Sequence, residues 1–235
     1  MTAIDYWFKD FRENWSIFLK NKKNTIDLVI TIFFFIAVSY SFKVYLIEME
    51  SIKGVLLEDK LLNILPSYDF SMPIFVILYW IVFVTYIFLF AYPIRLKLIL
   101  QFYSISLLIR LIMIFLINLE PPVNLIYLID PILNETTYNG QFITKDLFFS
   151  GHAISCLVCY YAMPNLLIKR IIGFLSIILL IMLLFQHIHY TIDLIGAYIV
   201  VHLIYKIYFK RACELKSKSY LTSPLIFNKK TNYES

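Results

Sequence analysis

With 235 residues, 60% of them hydrophobic, 18% aromatic and only 16% charged, the chain is too apolar for an ordinary soluble domain, which is about 45–50% apolar and about 25% charged. Lys and Arg exceed Asp and Glu, 21 to 16, yet they flank apolar runs, where membrane topology requires them, so no nucleic-acid partner is expected. With five glycines, eight prolines, no internal repeat and no composition shift, one membrane domain is expected.

In chain order, Ile4, Phe8, Phe11, Trp15 and Phe18 fall at helical spacing, with Lys9, Arg12, Glu13 and Lys20 around the rest of the wheel. This pattern predicts an amphipathic helix lying on the inner membrane surface within a cytoplasmic segment 1–27, with anchoring as its role. The first apolar run begins at Leu28, is long, and follows a charged aromatic stretch rather than a short basic one. It reads as a retained signal anchor and not as a cleaved leader.

Crossing a hydrocarbon core of about 30 Å takes about 20 helical residues. Six runs approach that length: 28–47, 72–92, 98–117, 146–163, 171–186 and 190–209. The fold expected is therefore an all-α polytopic membrane protein, with six transmembrane helices in a catalytic domain 28–211 and an N-terminal interfacial helix. The fourth and fifth runs are short, which suits helices packed in protein, and the last two must form a tight hairpin. Beyond residue 211 the chain turns polar and Lys-rich, predicting a flexible cytoplasmic tail, 212–235.

Charge orients these spans. Residues 1–27, the turns holding Arg95, Lys97, Lys169 and Arg170, and the tail from Lys206 carry 16 of the 21 basic residues. The intervening loops 48–71 and 119–146 carry nine acidic residues and three lysines. Alternate loops thus agree on cytoplasmic termini and acidic loops outside. Asn134–Thr136 forms a glycosylation sequon on that outer side. Cys156, Cys159 and Cys213 are odd in number and form no disulfide framework, and the first two suit helix packing.

Ionisable groups inside a bilayer cost about 2.5–3.5 kcal/mol each on insertion scales, so each one calls for an explanation. Asp146, Ser150 and His152 fall at the outer end of the fourth span, and His189 and Asp193 at the outer start of the sixth. Topology brings both sets to one membrane face. His189 and Asp193 are i and i+4, on one helix face. The carboxylate can hold one imidazole nitrogen and leave the other free as nucleophile or base. His152 supplies a second imidazole, and Gly151 lets a phosphate or another helix approach. Two histidines of opposite protonation suit phosphoryl transfer, one attacking phosphorus and the other protonating the departing alkoxide. No metal or other cofactor is expected.

These residues carry a family resemblance. Asp146-Leu-Phe-Phe-Ser150-Gly151-His152 resembles the Asp-x-x-x-Ser-Gly-His motif of the sphingomyelin synthase family. His189-Tyr190-Thr191-Ile-Asp193, followed by Ala197-Tyr198, resembles that family's second histidine motif. Leu65-Pro66-Ser67-Tyr68-Asp69, Arg110 and Pro121-Pro122 are weaker echoes, and Thr144-Lys145 stands where the family has Cys-Gly. The family lies within the type-2 phosphatidic acid phosphatase superfamily. The resemblance implies six spans, an exoplasmic site, His152, His189 and Asp193 as catalytic residues, and Asp146, Ser150, Gly151, Tyr190 and Arg110 as substrate-binding ones. The general phosphatase signature fits less well: Leu183 stands where an Arg is wanted, and the Lys-(x)6-Arg-Pro motif is missing.

The function this implies is transfer of a phosphobase, phosphocholine or phosphoethanolamine, from a glycerophospholipid donor to ceramide or a diacylglycerol-like lipid alcohol. Two alternatives remain: a lipid phosphatase or phospholipase C-type hydrolase using the same histidines, and a lipid-binding membrane protein without chemistry. Asp146 is expected to orient His152 or shape the headgroup site. Arg110 is expected to reach the phosphate or to pair with an acidic group between helices. Glu120 and Lys145 read as solvated loop charges, His187 as pointing away from His189, and His202 as a hydrogen-bonded core histidine. Assembly as a homo-oligomer stays open.

Overall fold

The computed structural model describes residues 3–130 and 143–221. The Asn134–Thr136 sequon and tail residues 222–235 lie outside them. Eight α-helices occur in this part: α1 (Ala3–Lys20), α2 (Lys22–Met49), α3 (Ser71–Phe90), α4 (Pro93–Leu116), α5 (Gly151–Ala162), α6 (Leu166–Phe185), α7 (Thr191–Ile204) and α8 (Lys210–Leu221). A single π-helical turn, Tyr205–Phe209, joins α7 to α8. No β-strand occurs among the described residues, where Val55 and Leu119 make an isolated backbone bridge.

Local chemistry sets the helix boundaries. The Asn21 side chain accepts from the N–H groups of Lys23 and Asn24, capping α2 and separating it from α1. Pro93 sits at the first position of α4, where its missing N–H costs nothing. Ser150 caps α5 by accepting from the Ala153 N–H, and Asn165 caps α6 through the Ile168 N–H. Between those two helices, Pro164 cannot continue α5 and ends it.

Five helical stretches are long and apolar enough to cross a membrane: α2, α3, α4, α6 and the run from Thr191 to Leu215. The chain is thus a multi-pass membrane protein on helix length and composition. The fourth expected span is different. It is the 12-residue α5, about 18 Å at 1.5 Å per residue, preceded by a segment without regular secondary structure. Its position explains the shortness: α5 packs against α3, α4, α6 and α7 at once, burying Ala153, Ile154, Cys156, Val158, Cys159 and Ala162. A helix enclosed by protein need not match the bilayer thickness. The fifth expected span is longer than its sequence signal, because α6 begins at Leu166 and takes Lys169 and Arg170 into its first turns. Lys169 lies over the Tyr160 ring, 4.8 Å from its centroid.

At one end of the bundle, α1 packs on the α3–α4 corner. Trp15 Nε1 donates to the Phe90 carbonyl at 2.8 Å, Asn14 to the Ala91 carbonyl at 2.9 Å, and Phe11 stacks on Phe90. The polar stretch expected to open a flexible tail begins as helix α8. At the other end, loop 50–70, loop 117–130 and the α6–α7 turn are tied together by backbone hydrogen bonds. These include Val55 N–H to Asn118, Tyr68 N–H to Phe185 and Ile126 N–H to Gln186, at 2.9–3.1 Å.

Candidate active site

The two histidine segments meet at this looped end. His189 ends the α6–α7 turn and His152 sits in the first turn of α5. Their ring centroids are 5.9 Å apart with the rings near perpendicular. At that separation both imidazoles can touch one bound group without being locked to each other. The Ser150 N–H donates to the Asp193 carbonyl at 3.2 Å, fastening the start of α5 to the start of α7.

His189 Nδ1 lies 3.3 Å from Asp193 Oδ2, and the same oxygen accepts the Tyr190 N–H at 2.9 Å. Asp193 is fully buried. With Nδ1–H donated to the carboxylate, Nε2 carries the lone pair, as a nucleophile or base requires. His152 differs. Its Nδ1 is buried without a hydrogen-bond partner, and so is Asp193 Oδ1. Unmet polar atoms of this kind cost about 1–3 kcal/mol each, and here both belong to the residues the sequence nominates for chemistry. The Phe75 ring flanks His152, 6.0 Å between centroids.

A small cleft, partly open to the surroundings, is lined by Asp146, His152 and His189 together with Tyr127, Thr144 and Ile188.

Arg110 and Asp146 are brought together, with an ion pair of 2.5 Å between Nη2 and Oδ1. Arg110 Nε also donates to the Phe149 carbonyl, and the guanidinium lies 4.7 Å from the Phe42 ring centroid. Arg110 is buried among these partners. Of its two sequence readings, pairing with an acid between helices is the contact seen. Asp146, expected to orient His152 or to shape the headgroup site, lines the cleft and directs its carboxylate to Arg110. Gly151 has a specific use, since a Cβ there would lie 2.6 Å from Arg110 Nη1 and 2.9 Å from Cζ. The missing side chain is filled by the guanidinium. Ser150 acts as the α5 cap.

Tyr190 is buried and points toward the loops. Its hydroxyl donates to the Glu120 carbonyl at 3.0 Å and accepts the Leu57 N–H at 3.3 Å. Tyr190→Phe leaves both groups unpaired, so we expect a loss of about 1–3 kcal/mol in stability, read as a lower thermal midpoint in detergent.

Glu120 and Lys145, expected as solvated loop charges, instead pair at 3.1 Å, with side chains only 29% and 11% exposed. Glu120 also accepts the Gly54 N–H at 2.7 Å, and Lys145 donates to the Ile52 carbonyl at 2.6 Å. These bonds, Gly54 first, hold the Glu120 carboxyl below its ordinary range. Glu50 accepts from the N–H groups of Thr144 and Lys145, at 2.6 and 2.8 Å, just before Asp146. Thr144-Lys145 is therefore a fastening point for loop 50–70. His187 points away from His189, with its two ring nitrogens against the carbonyls of Val123 and Leu65 at 3.1 and 3.2 Å. His202 Nδ1 lies 2.7 Å from the Tyr161 hydroxyl, as expected of a hydrogen-bonded histidine.

Asp59, Glu50 and Gln186 escaped sequence reasoning. Each is a common polar residue whose partner is more than 90 positions away, so no local pattern marks it. Gln186 accepts the Phe70 N–H at 2.8 Å and donates to the Ser71 hydroxyl at 2.8 Å, bracing the α6–α7 turn against the start of α3.

No curated protein sequence matches the chain. Residues 145–210 match a family model described as PAP2 superfamily C-terminal, and that segment holds His152, His189 and Asp193.

Proposed function

We propose that the chain is a lipid headgroup phosphotransferase that moves a phosphobase from a glycerophospholipid to the hydroxyl of ceramide or a similar lipid alcohol. The observation that carries this reading is the buried His189–Asp193 pair facing His152 across one cleft. In the first step His189 Nε2 attacks phosphorus, the P–O bond to diacylglycerol breaks, and His152 gives its proton to the leaving oxygen. In the second, His152 takes the proton of the acceptor hydroxyl, the new O–P bond forms, and the N–P bond to His189 breaks.

The charge inventory supports a diester donor. Arg110 spends its guanidinium on Asp146 and the Phe149 carbonyl, leaving little to neutralise a doubly charged phosphomonoester. A phosphodiester with a cationic headgroup brings less charge to be met. The match to the PAP2 superfamily is compatible with a phosphatase as well as a transferase, and hydrolysis by the same histidines is the second reading. The looped end that holds the site is taken as extracytoplasmic, because 16 of the 21 basic residues belong to the opposite side or to the tail. On the same argument α1 lies along the inner surface.

The test uses purified protein in mixed micelles with fluorescent ceramide and either phosphatidylcholine or phosphatidylethanolamine. A labelled phosphosphingolipid establishes the transferase and names the headgroup. Diacylglycerol and free phosphobase with no ceramide product would establish the hydrolase instead. In the same assay Asp193→Asn should lower turnover by about 10²–10⁴-fold with little change in folding, since it disturbs the tautomer and orientation of His189.

A further inference from the structure

Helix α7 starts between the two members of the reactive pair, so its first turn must be held for His189 and Asp193 to meet. Helix N-termini leave N–H groups without intrahelical partners. Here two carboxylates from different parts of the chain divide them. Asp193 Oδ2 takes the Tyr190 N–H at 2.9 Å. Asp59, 132 positions upstream in loop 50–70, takes the Thr191 N–H through Oδ2 at 2.7 Å and the Thr191 hydroxyl through Oδ1 at 3.2 Å.

Asp59 is itself held in place. Its Oδ1 accepts the N–H groups of Leu61 and Leu62, at 3.0 and 3.3 Å, starting the 3₁₀ turn Leu62–Ile64. The loop is docked again two residues earlier, where the Leu57 N–H meets the Tyr190 hydroxyl. Burial alone would raise the Asp59 carboxyl, but the hydrogen bonds from Thr191, Leu62 and Leu61 outweigh it and hold the group below its ordinary range. A carboxylate at this point also faces the positive end of the α7 dipole.

We propose that Asp59 is a positioning residue for the His189–Asp193 pair, clamping Thr191 so that Asp193 stays committed to His189. The reason lies in the spare oxygen of Asp193. Oδ1 is buried and without a partner. Once Asp59 is removed, the Thr191 N–H at the first position of α7 is unpaired, and Asp193, two residues further on in the same turn, carries a carboxylate with a free oxygen that can turn to it. Rotation of Asp193 toward that N–H draws Oδ2 away from His189 Nδ1. Asp59 thereby makes the geometry of the pair depend on docking of the outer loop.

This inference rests on the phosphotransfer reading, and its test separates the two. Asp59→Ala and Asp59→Asn are made in the full chain, purified in micelles, and measured for kcat and KM and for amide hydrogen exchange. Asp59→Ala should lower kcat about 10–100-fold while KM changes less than about 3-fold, the pattern of a lost transition-state arrangement. Asp59→Asn should recover kcat to within about 5-fold, since its amide oxygen still accepts the Thr191 N–H. Exchange at Tyr190–Asp193 should speed up about 10-fold in the alanine variant and stay unchanged in the interior of α7.

Should Asp59→Ala fail to fold, Asp59→Glu, which moves the carboxylate by one methylene, takes its place with the same expected split. Wild-type kcat in these variants, or an asparagine variant as impaired as alanine, would overturn the clamp. If the wild-type protein turns over no lipid, the phosphotransfer reading fails. Exchange still decides the clamp: unchanged rates at Tyr190–Asp193 in Asp59→Ala overturn it, and local acceleration reversed by asparagine supports it.

Discussion

His189→Ala is expected to abolish headgroup transfer, lowering turnover at least about 10⁴-fold, the order lost when a nucleophile is removed from a concerted set. The physical case rests on His189 having its Nδ1 assigned to a buried carboxylate, which leaves Nε2 as the free nitrogen. His152→Ala should lose about 10²–10⁴-fold, the usual contribution of a positioned proton donor. The two losses should not add, because both groups act on one phosphorus. Each variant should still insert and purify, since the buried apolar clusters between the helices are left intact. A His189→Ala protein that retains normal turnover would remove the mechanism altogether. Intact-mass detection of a phosphorylated wild-type protein that is missing from His189→Ala would identify the intermediate.

The second large effect is on stability, and it arises from the Arg110–Asp146 pair. Asp146→Ala leaves a buried guanidinium without its counter-ion, and breaking such a pair from one side costs about 3–5 kcal/mol. We expect a marked fall in the thermal midpoint in detergent, and with it a loss of turnover, because Arg110 also holds the Phe149 carbonyl at the entry to α5 and hence His152. Replacing both partners together, Arg110→Met with Asp146→Leu, should cost less stability than Asp146→Ala alone, since no unpaired charge remains. Gly151→Ala attacks the same contact from the other side. A Cβ placed 2.6 Å from Arg110 Nη1 must displace the guanidinium, so this single methyl should impair turnover without touching a histidine. Wild-type stability and turnover in both Asp146→Ala and Gly151→Ala would show that the pair positions nothing.

Much of this arrangement was legible along the chain, for reasons that particular residues make clear. His189 and Asp193 are four apart, and helical periodicity alone puts them on one face. Gly151 before His152 reads as an open approach for a phosphate or another helix, and the group found against it is the Arg110 side chain of α4, while Ser150, expected to bind substrate, is seen as the cap of α5. The fourth apolar run reads as a short span packed in protein, and its helix is shorter still, because hydropathy reports burial without saying what does the burying. In α5 the burying surface is protein on four sides. The loop charges Glu120 and Lys145 were read as solvated because a lone charged residue in a polar loop has no periodic partner to betray it.

The sequence by itself determined a membrane protein of helices, the side on which the basic residues gather, and the two histidine motifs that lie at one end of their segments. These properties follow from hydropathy and from spacings of a few residues, which the helix geometry converts directly into position. Only the tertiary structure decided which atoms meet. It turned Arg110 toward Asp146, sent the Tyr190 hydroxyl to the loops, tied Lys145 to Glu120, and brought Asp59 across 132 positions to the N-terminus of α7. Such contacts depend on how loops of 20 or so residues close over the bundle, and a buried N–H or guanidinium accepts whichever carboxylate the packing delivers to it.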